Sequence, residues 1–217
     1  MATSVICFDL NGTLTDPKLG ITNCIRYALE RLGQYAPPAD ELTWCIGPPL
    51  LQSFEKMLGD ARLAGQGLAL YWERFSETGL YENEVFPGVT AMLRACQDAG
   101  FRMFVATSKP VVYAERIIAH FGLTGYFESV CGAELDGTRS DKTELLRWVL
   151  VEHGIDAAEA TMVGDRRHDI IGASNNGMRT VGVTYGYGSR AELEEAGAHR
   201  IVESPEALAT ALLTDLV

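Results

Sequence analysis

Apolar and polar positions follow two rhythms along this chain. Short runs rich in β-branched and aromatic residues read as strands at 4–8, 101–107 (FRMFVAT), 160–164 (ATMVG), 180–184 (TVGVT) and 199–203. Helical patterns with legible ends lie between them. Val89, Met92, Leu93 and Cys96 share one face of a helix that stops at Gly100, and Ala114, Ile117, Ile118 and Phe121 repeat the pattern before Gly122. Ser189 with Glu192 predicts a capping box, and Ser204-Pro205 a cap followed by proline at the first helical position.

Residues 17–85 break the alternation. Ile21, Cys24, Ile25, Ala28, Leu29 and Leu32 predict an amphipathic helix ended by Gly33, and Leu50, Leu51, Phe54 and Leu58 another ended by Gly59. A third pattern holds Leu68, Tyr71, Trp72 and Phe75, while YAPPAD (35–40) and ENEVFPG (82–88) read as connectors. The expected fold class is α/β: a doubly wound, Rossmann-like parallel sheet core with an inserted all-helical cap. The core takes residues 1–16 and 86–217, and the cap 17–85.

Composition narrows the function classes. The 217 residues are 47% hydrophobic and 22% charged, an ordinary globular balance, and a net charge of -11 argues against a nucleic-acid polymer or an anionic membrane as partner. No apolar run approaches the ~20 residues of a membrane helix, and the start of the chain carries no secretory pattern. Five cysteines, never in a C-x-x-C pair, read as reduced thiols in a cytoplasmic protein. An acidic protein that binds an anion must gather positive charge locally, through a lysine, a metal ion or helix N-termini.

Candidate chemistry falls at strand ends and helix starts, where ligands bind in open α/β sheets. Asp9 follows the first strand, Thr107-Ser108 the second, Lys142 opens SDKTELLRWVL, and Asp165 follows TMVG with Asp169 four residues on. Each has a plainer reading. The aspartates would serve as turn or helix caps, Thr107 and Ser108 as a cap for the next helix, and Lys142 as a solvated surface lysine. Their joint order, a carboxylate, a hydroxyl, a lysine and an acidic pair, favours a shared crevice.

With DLNGTLTD, VATSKP, the lysine of SDKTELL and VGDRRHDIIGA in that order, the chain resembles the haloacid dehalogenase superfamily over essentially its whole length, within it the phosphoglycolate-phosphatase-like group with a helical cap. CIGPPL (45–50) and TYGYGS (184–189) resemble that group too. The resemblance implies two-step phosphoryl transfer from a small phosphorylated metabolite. Asp9 would be the nucleophile, and Mg2+ would be held by Asp9, Asp165 and the carbonyl of Asn11, with Asp169 as a further or supporting ligand. Thr107, Ser108 and Lys142 would bind the phosphoryl group together with backbone N–H groups around Gly12. Phosphoglycolate and a nucleoside 5'-monophosphate are the implied substrates. Lys18, Arg26, Lys56 and Arg62 are candidates for substrate selection in the cap, with surface solvation as the default role of each.

Asn11 departs from the family pattern, in which this position holds the aspartate that protonates the leaving oxygen and later takes a proton from water. Asparagine keeps the shape and the backbone carbonyl but cannot move that proton. An engineered trap, a naturally weakened enzyme and a member turned to binding are the three explanations, and the intact remainder of the site favours the first. The expectation is a phosphoric monoester hydrolase of attenuated activity. A sugar phosphomutase of the same superfamily and a non-catalytic phospho-ligand binding protein are the alternatives; the oligomeric state is not specified by the sequence.

Overall fold

The computed structural model describes residues 5–215. In chain order the elements are β1 (Val5–Phe8), β2 (Thr15–Asp16), α1 (Lys18–Arg31), α2 (Leu50–Leu58), α3 (Ala61–Arg74), β3 (Glu84–Val85), α4 (Val89–Asp98), β4 (Arg102–Pro110) and α5 (Val111–His120). There follow β5 (Ser129–Ala133), α6 (Lys142–Glu152), β6 (Ala160–Gly164), α7 (Arg167–Ser174), β7 (Arg179–Val183), α8 (Arg190–Glu195), β8 (Arg200–Val202) and α9 (Pro205–Asp215). Two compact units result, one of residues up to Thr15 and from Val85 onward, the other Asp16–Glu84.

The first unit is the α/β core expected from the sequence. Six strands form a sheet in the order β5-β4-β1-β6-β7-β8, every pair parallel. The chain leaves β1 toward β4 and β5, then crosses to β6, β7 and β8 on the other side. The carboxyl end of β1 is therefore the topological switch point, where a crevice opens between oppositely directed crossovers. In-register pairing of Phe8 with Val105 and with Val163 brings the ends of β1, β4 and β6 level. All four residues of β1 are buried, as suits a strand covered on both faces. Val5, Cys7, Phe104, Ala106 and Met162 pack with Leu145, Leu146 and Val149 of α6.

Several expectations need correction here. β5 was not anticipated: SVCGA is short and interrupted by glycine, so it lacks a strand's apolar signature. Gly132 is nonetheless required, because a Cβ there would lie 2.6 Å from the Lys109 carbonyl oxygen. β4 runs past 107 to Pro110, with a register shift between Thr107 and Pro110 that throws Ser108 and Lys109 into a bulge. Thr107 and Ser108 therefore do not cap α5, whose cap position is Pro110. Ser189 caps α8 by accepting from the Glu192 N–H, but the Glu192 carboxylate turns to Arg166 and Arg167, so the capping box is only half formed. Ser204 caps α9 as expected. Ser4, in the first predicted strand, lies outside the described residues.

The second unit is helical. α1 buries Ile21, Cys24, Ile25, Ala28 and Leu29, the predicted face. Gly67 lets α3 approach α2, since a Cβ there would lie 2.9 Å from the Phe54 ring. Tyr71 stacks on Phe75 at 5.3 Å and meets Phe54 edge-on, a set of contacts in which each pair contributes about 0.5–1.5 kcal/mol beyond burial. The predicted α2 face is narrower than expected: Phe54 is its one fully buried apolar residue and Leu51 is 41% exposed. Residues 39–45, which begin inside the expected 35–40 connector, form a 3-10 turn.

Candidate active site

The site lies within the α/β unit, at the switch point. Asp9 continues β1 by donating its N–H to the Val163 carbonyl at 2.9 Å, which fixes its backbone beside β6. The chain then curls. Leu14 and Thr15 N–H groups both reach the Leu10 carbonyl, and the Gly12 N–H donates to the Thr15 carbonyl at 2.8 Å. Gly12 adopts φ +87, a conformation that favours glycine, and a Cβ there would lie 2.2 Å from Asp165 Oδ2. Its contribution is room and a turn. Of the backbone N–H groups around Gly12 expected to join a phosphate cradle, Gly12's own is donated to Thr15.

Lys142 is the centre of the arrangement. Asp141 caps α6 by accepting from the Glu144 N–H, which places Lys142 in the first turn with its side chain running inward. Gly172 of α7 makes space for the stem, since a Cβ there would lie 2.8 Å from Lys142 Cγ. The ammonium, 5% exposed, meets Asp9 Oδ1 at 2.9 Å, Asp169 Oδ1 at 2.7 Å and the Ala106 carbonyl at 2.9 Å. Burial alone would lower its pKa, but Asp169 and Asp9 outweigh burial and hold it above the ordinary value. The surface-lysine reading is thus excluded.

Asp165 and Asp169 flank this centre. Asp169 Oδ2 accepts from the Arg166 N–H at 3.1 Å, so this side chain also serves the start of α7, as its plainer reading proposed. Gly164 makes space for it. Asp165 Oδ2 accepts from the Tyr187 N–H at 2.8 Å, and Thr13 Oγ1 stands 3.5 Å from Oδ1. Burial, then the nearby carboxylates, raise the pKa of Asp165 well above the ordinary value. Burial pushes Asp169 up to about 6 against the opposing pull of Lys142.

Carboxylate oxygens of Asp9, Asp165 and Asp169 lie within 4.8 Å of one another. One ammonium pairs with two of the three buried carboxylates, so the fully ionised cluster carries an excess of negative charge that a small divalent cation would neutralise. An all-oxygen, carboxylate-rich donor set suits a hard ion of the Mg2+ type. Thr107 is buried, its Oγ1 accepting a long bond from the Lys109 N–H at 3.3 Å, and Ser108 is half-buried in the bulge. Asn11 is 8% exposed, and its Oδ1 has no hydrogen-bond partner. Lys18 pairs with Asp40, Arg26 lies 3.8 Å from Glu30, and Lys56 sits over Trp44, all within the helical unit, where Arg62 is exposed. Sequence reasoning gave no role to Thr13, Gly172 or the Tyr185–Gly188 segment, although the paired glycines after a strand were a visible signal of close backbone approach.

A family model of the haloacid dehalogenase-like hydrolases matches residues 6–183, and the chain belongs to that family. It is 49% identical over 189 residues to a 5'-nucleotidase of Pseudomonas aeruginosa, which spans 87% of this chain and 86% of the relative. It is 38% identical over 185 residues to the tyrosine-protein kinase PtkA of Mycobacterium tuberculosis, covering 85% of this chain but 63% of that relative. A crystal structure of a predicted phosphatase from Clostridium acetobutylicum matches with a TM-score of 0.94 and 38% identity, over 98% of this chain and 99% of the other. The α/β fold and the family expected from the sequence both hold. Among the described residues, no helix is long and apolar enough to cross a membrane.

Proposed function

We propose that this chain hydrolyses a small phosphate monoester of the nucleoside 5'-monophosphate class, with Asp9 as nucleophile and a rate attenuated by Asn11. The observation that carries the reading is the convergence of Asp9, Lys142, Asp165 and Asp169 in one buried cluster at the switch point. The 5'-nucleotidase at 49% identity supports the substrate class over phosphoglycolate. The helical unit is read as the family's cap, which selects the substrate, and buried cysteines that form no disulfide among the described residues suit a cytoplasmic setting.

Asp9 attacks phosphorus, the bond from phosphorus to the ester oxygen breaks, and an aspartyl-phosphate forms; water then releases phosphate and restores Asp9. Lys142 holds Asp9 in place through the 2.9 Å ion pair and offers its charge to a phosphoryl oxygen, while the Thr107 hydroxyl donates to another. Asp9, Asp165 and the Asn11 carbonyl would hold Mg2+, which when bound offsets the repulsion between carboxylate and phosphate. Asp169, committed to Lys142 and the Arg166 N–H, supports that set. Asn11 orients the leaving oxygen but has no proton to give, so solvent must supply it.

A phosphate-release panel on the Asn11→Asp form tests this, spanning nucleoside 5'-monophosphates, phosphoglycolate and sugar 1-phosphates. Release fastest from nucleoside 5'-monophosphates is expected. Conversion of a sugar 1-phosphate to its 6-phosphate would replace the reading with a mutase. Binding without turnover, even with aspartate at 11, would favour a phospho-ligand binding protein, a second reading motivated by Asn11 itself.

A further inference from the structure

Thr184–Gly188, the sequence TYGYG directly after β7, takes no part in the chemistry assigned above, yet it touches the acidic cluster repeatedly. The Tyr187 N–H donates to Asp165 Oδ2 at 2.8 Å. The Tyr185 hydroxyl donates to the Thr13 carbonyl at 3.0 Å, from a ring that meets Phe86 edge-on at 5.3 Å. Phe86 in turn donates its N–H to the Leu14 carbonyl at 3.2 Å, so the nucleophile loop is gripped from two neighbouring segments. Gly186 and Gly188 permit this approach. A Cβ on Gly186 would lie 2.2 Å from the Gly12 carbonyl oxygen and 2.5 Å from Asp165 Cβ, and one on Gly188 would lie 1.8 Å from the Asp165 carbonyl oxygen. Neither glycine has a positive φ, so what the position demands is space.

We infer that Thr184–Gly188 is a positioning element for the metal site, pinning one oxygen of Asp165 to a main-chain amide and the nucleophile loop at Thr13, so that Asp165 and Asp9 keep the separation a cation needs. The inference rests on the reading of Asp165 as a metal ligand. An aspartate carboxylate turns about two bonds, and one buried beside two others is driven away from them by repulsion. A donor fixed in the main chain opposes that rotation whatever side chain stands at 187. Partners of this kind behind a metal ligand typically change metal affinity by about 10–100-fold.

Mg2+ titration calorimetry on the whole chain, with thermal denaturation alongside, tests it. Gly186→Ala should bind Mg2+ about 10-fold more weakly or worse. Tyr185→Phe, which deletes a single hydroxyl, should bind about threefold more weakly. Tyr187→Ala keeps the amide and should bind within about twofold of the parent. Val181→Ala, a truncation in β7 away from the site, should lower the melting temperature and leave Mg2+ affinity alone. Parental affinity in Gly186→Ala overturns the inference; should that variant not fold, parental affinity in Tyr185→Phe does so. An equal loss in Val181→Ala overturns it too, because the effect would then be general destabilisation. Asp165→Ala separates the two levels. Unchanged Mg2+ affinity there, or no binding by the parent, removes the metal reading and the inference together. Loss in Asp165→Ala with none in Gly186→Ala or Tyr185→Phe removes the inference alone.

Discussion

On the side of the cluster that faces α6, Lys142 Nζ is held by three acceptors between 2.7 and 2.9 Å, two of them carboxylates. On the side formed by the loop after β6, Asp165 has one main-chain donor at 2.8 Å and a hydroxyl at 3.5 Å, and no cationic side chain is paired with it among the described ion pairs. The lysine side is electrostatically complete in the folded chain. The Asp165 side is rigid in geometry but short of positive charge, and Asn11 with its unpartnered Oδ1 belongs to the loop that adjoins it through Gly12. One half of the cluster is thus charge-balanced by folding, and the other carries the excess of negative charge.

The largest expected effect comes from removing the group that both sides share. In an Asn11→Asp background, Asp9→Asn should reduce phosphate release to the buffer rate; turnover near the parent value would rule out the nucleophile role. Asn11→Asp by itself should raise turnover by about 10²–10⁴-fold, the usual contribution of general acid–base catalysis. Mg2+ affinity should move far less, because the backbone carbonyl is unchanged. No gain on any phosphomonoester that binds would sink the attenuation idea. On the lysine side, Lys142→Met leaves Asp9 and Asp169 buried without their cation and should cost about 3–5 kcal/mol in urea denaturation at neutral pH. A cost near zero would mean that the two carboxylates are solvated in solution.

The smallest effect concerns pH. Asp165 and Asp169 have folded-state pKa values raised above the ordinary 3.8, Asp169 to about 6. Between those values the folded chain binds protons that the unfolded chain does not, so stability falls as pH rises through about 6. The slope should be on the order of 1 kcal/mol per pH unit in metal-free buffer. Mg2+ should flatten it by favouring the ionised carboxylates. Denaturation curves at pH 5 and 7, with chelator and with Mg2+, check the sign; greater stability at pH 7 in chelator would contradict the unbalanced charge.

Much of this was legible before any coordinates. Strands β1, β6 and β7 announce themselves because buried parallel strands read as continuous apolar runs. Asp9, Lys142, Asp165 and Asp169 are side chains whose chemistry survives in the one-letter code. What escaped is made of main chain or of space. The Tyr187 amide looks like any other amide, and Gly172 matters only because the Lys142 stem passes it. β5 escaped because a glycine needed by a neighbouring carbonyl interrupts its pattern. The backbone donors expected around Gly12 cannot be told apart by letter, and nothing in the sequence reveals that Thr15 holds the N–H of Gly12 itself.

That last hydrogen bond bears on how the protein ages. In an Asn-Gly pair the glycine nitrogen can attack the asparagine side-chain carbonyl, expel ammonia as a cyclic imide closes, and leave aspartate or isoaspartate once water opens the ring. Here the attacking nitrogen is bound to the Thr15 carbonyl at 2.8 Å and Asn11 is buried, so the folded chain protects its own amide. Unfolded chains have no such guard. A preparation stored folded should keep asparagine in the peptide spanning residues 8–16, by mass spectrometry, while one held in urea at mildly alkaline pH and refolded should accumulate aspartate there. On the proposed role of Asn11, phosphate release should rise in that second preparation in step with its aspartate content.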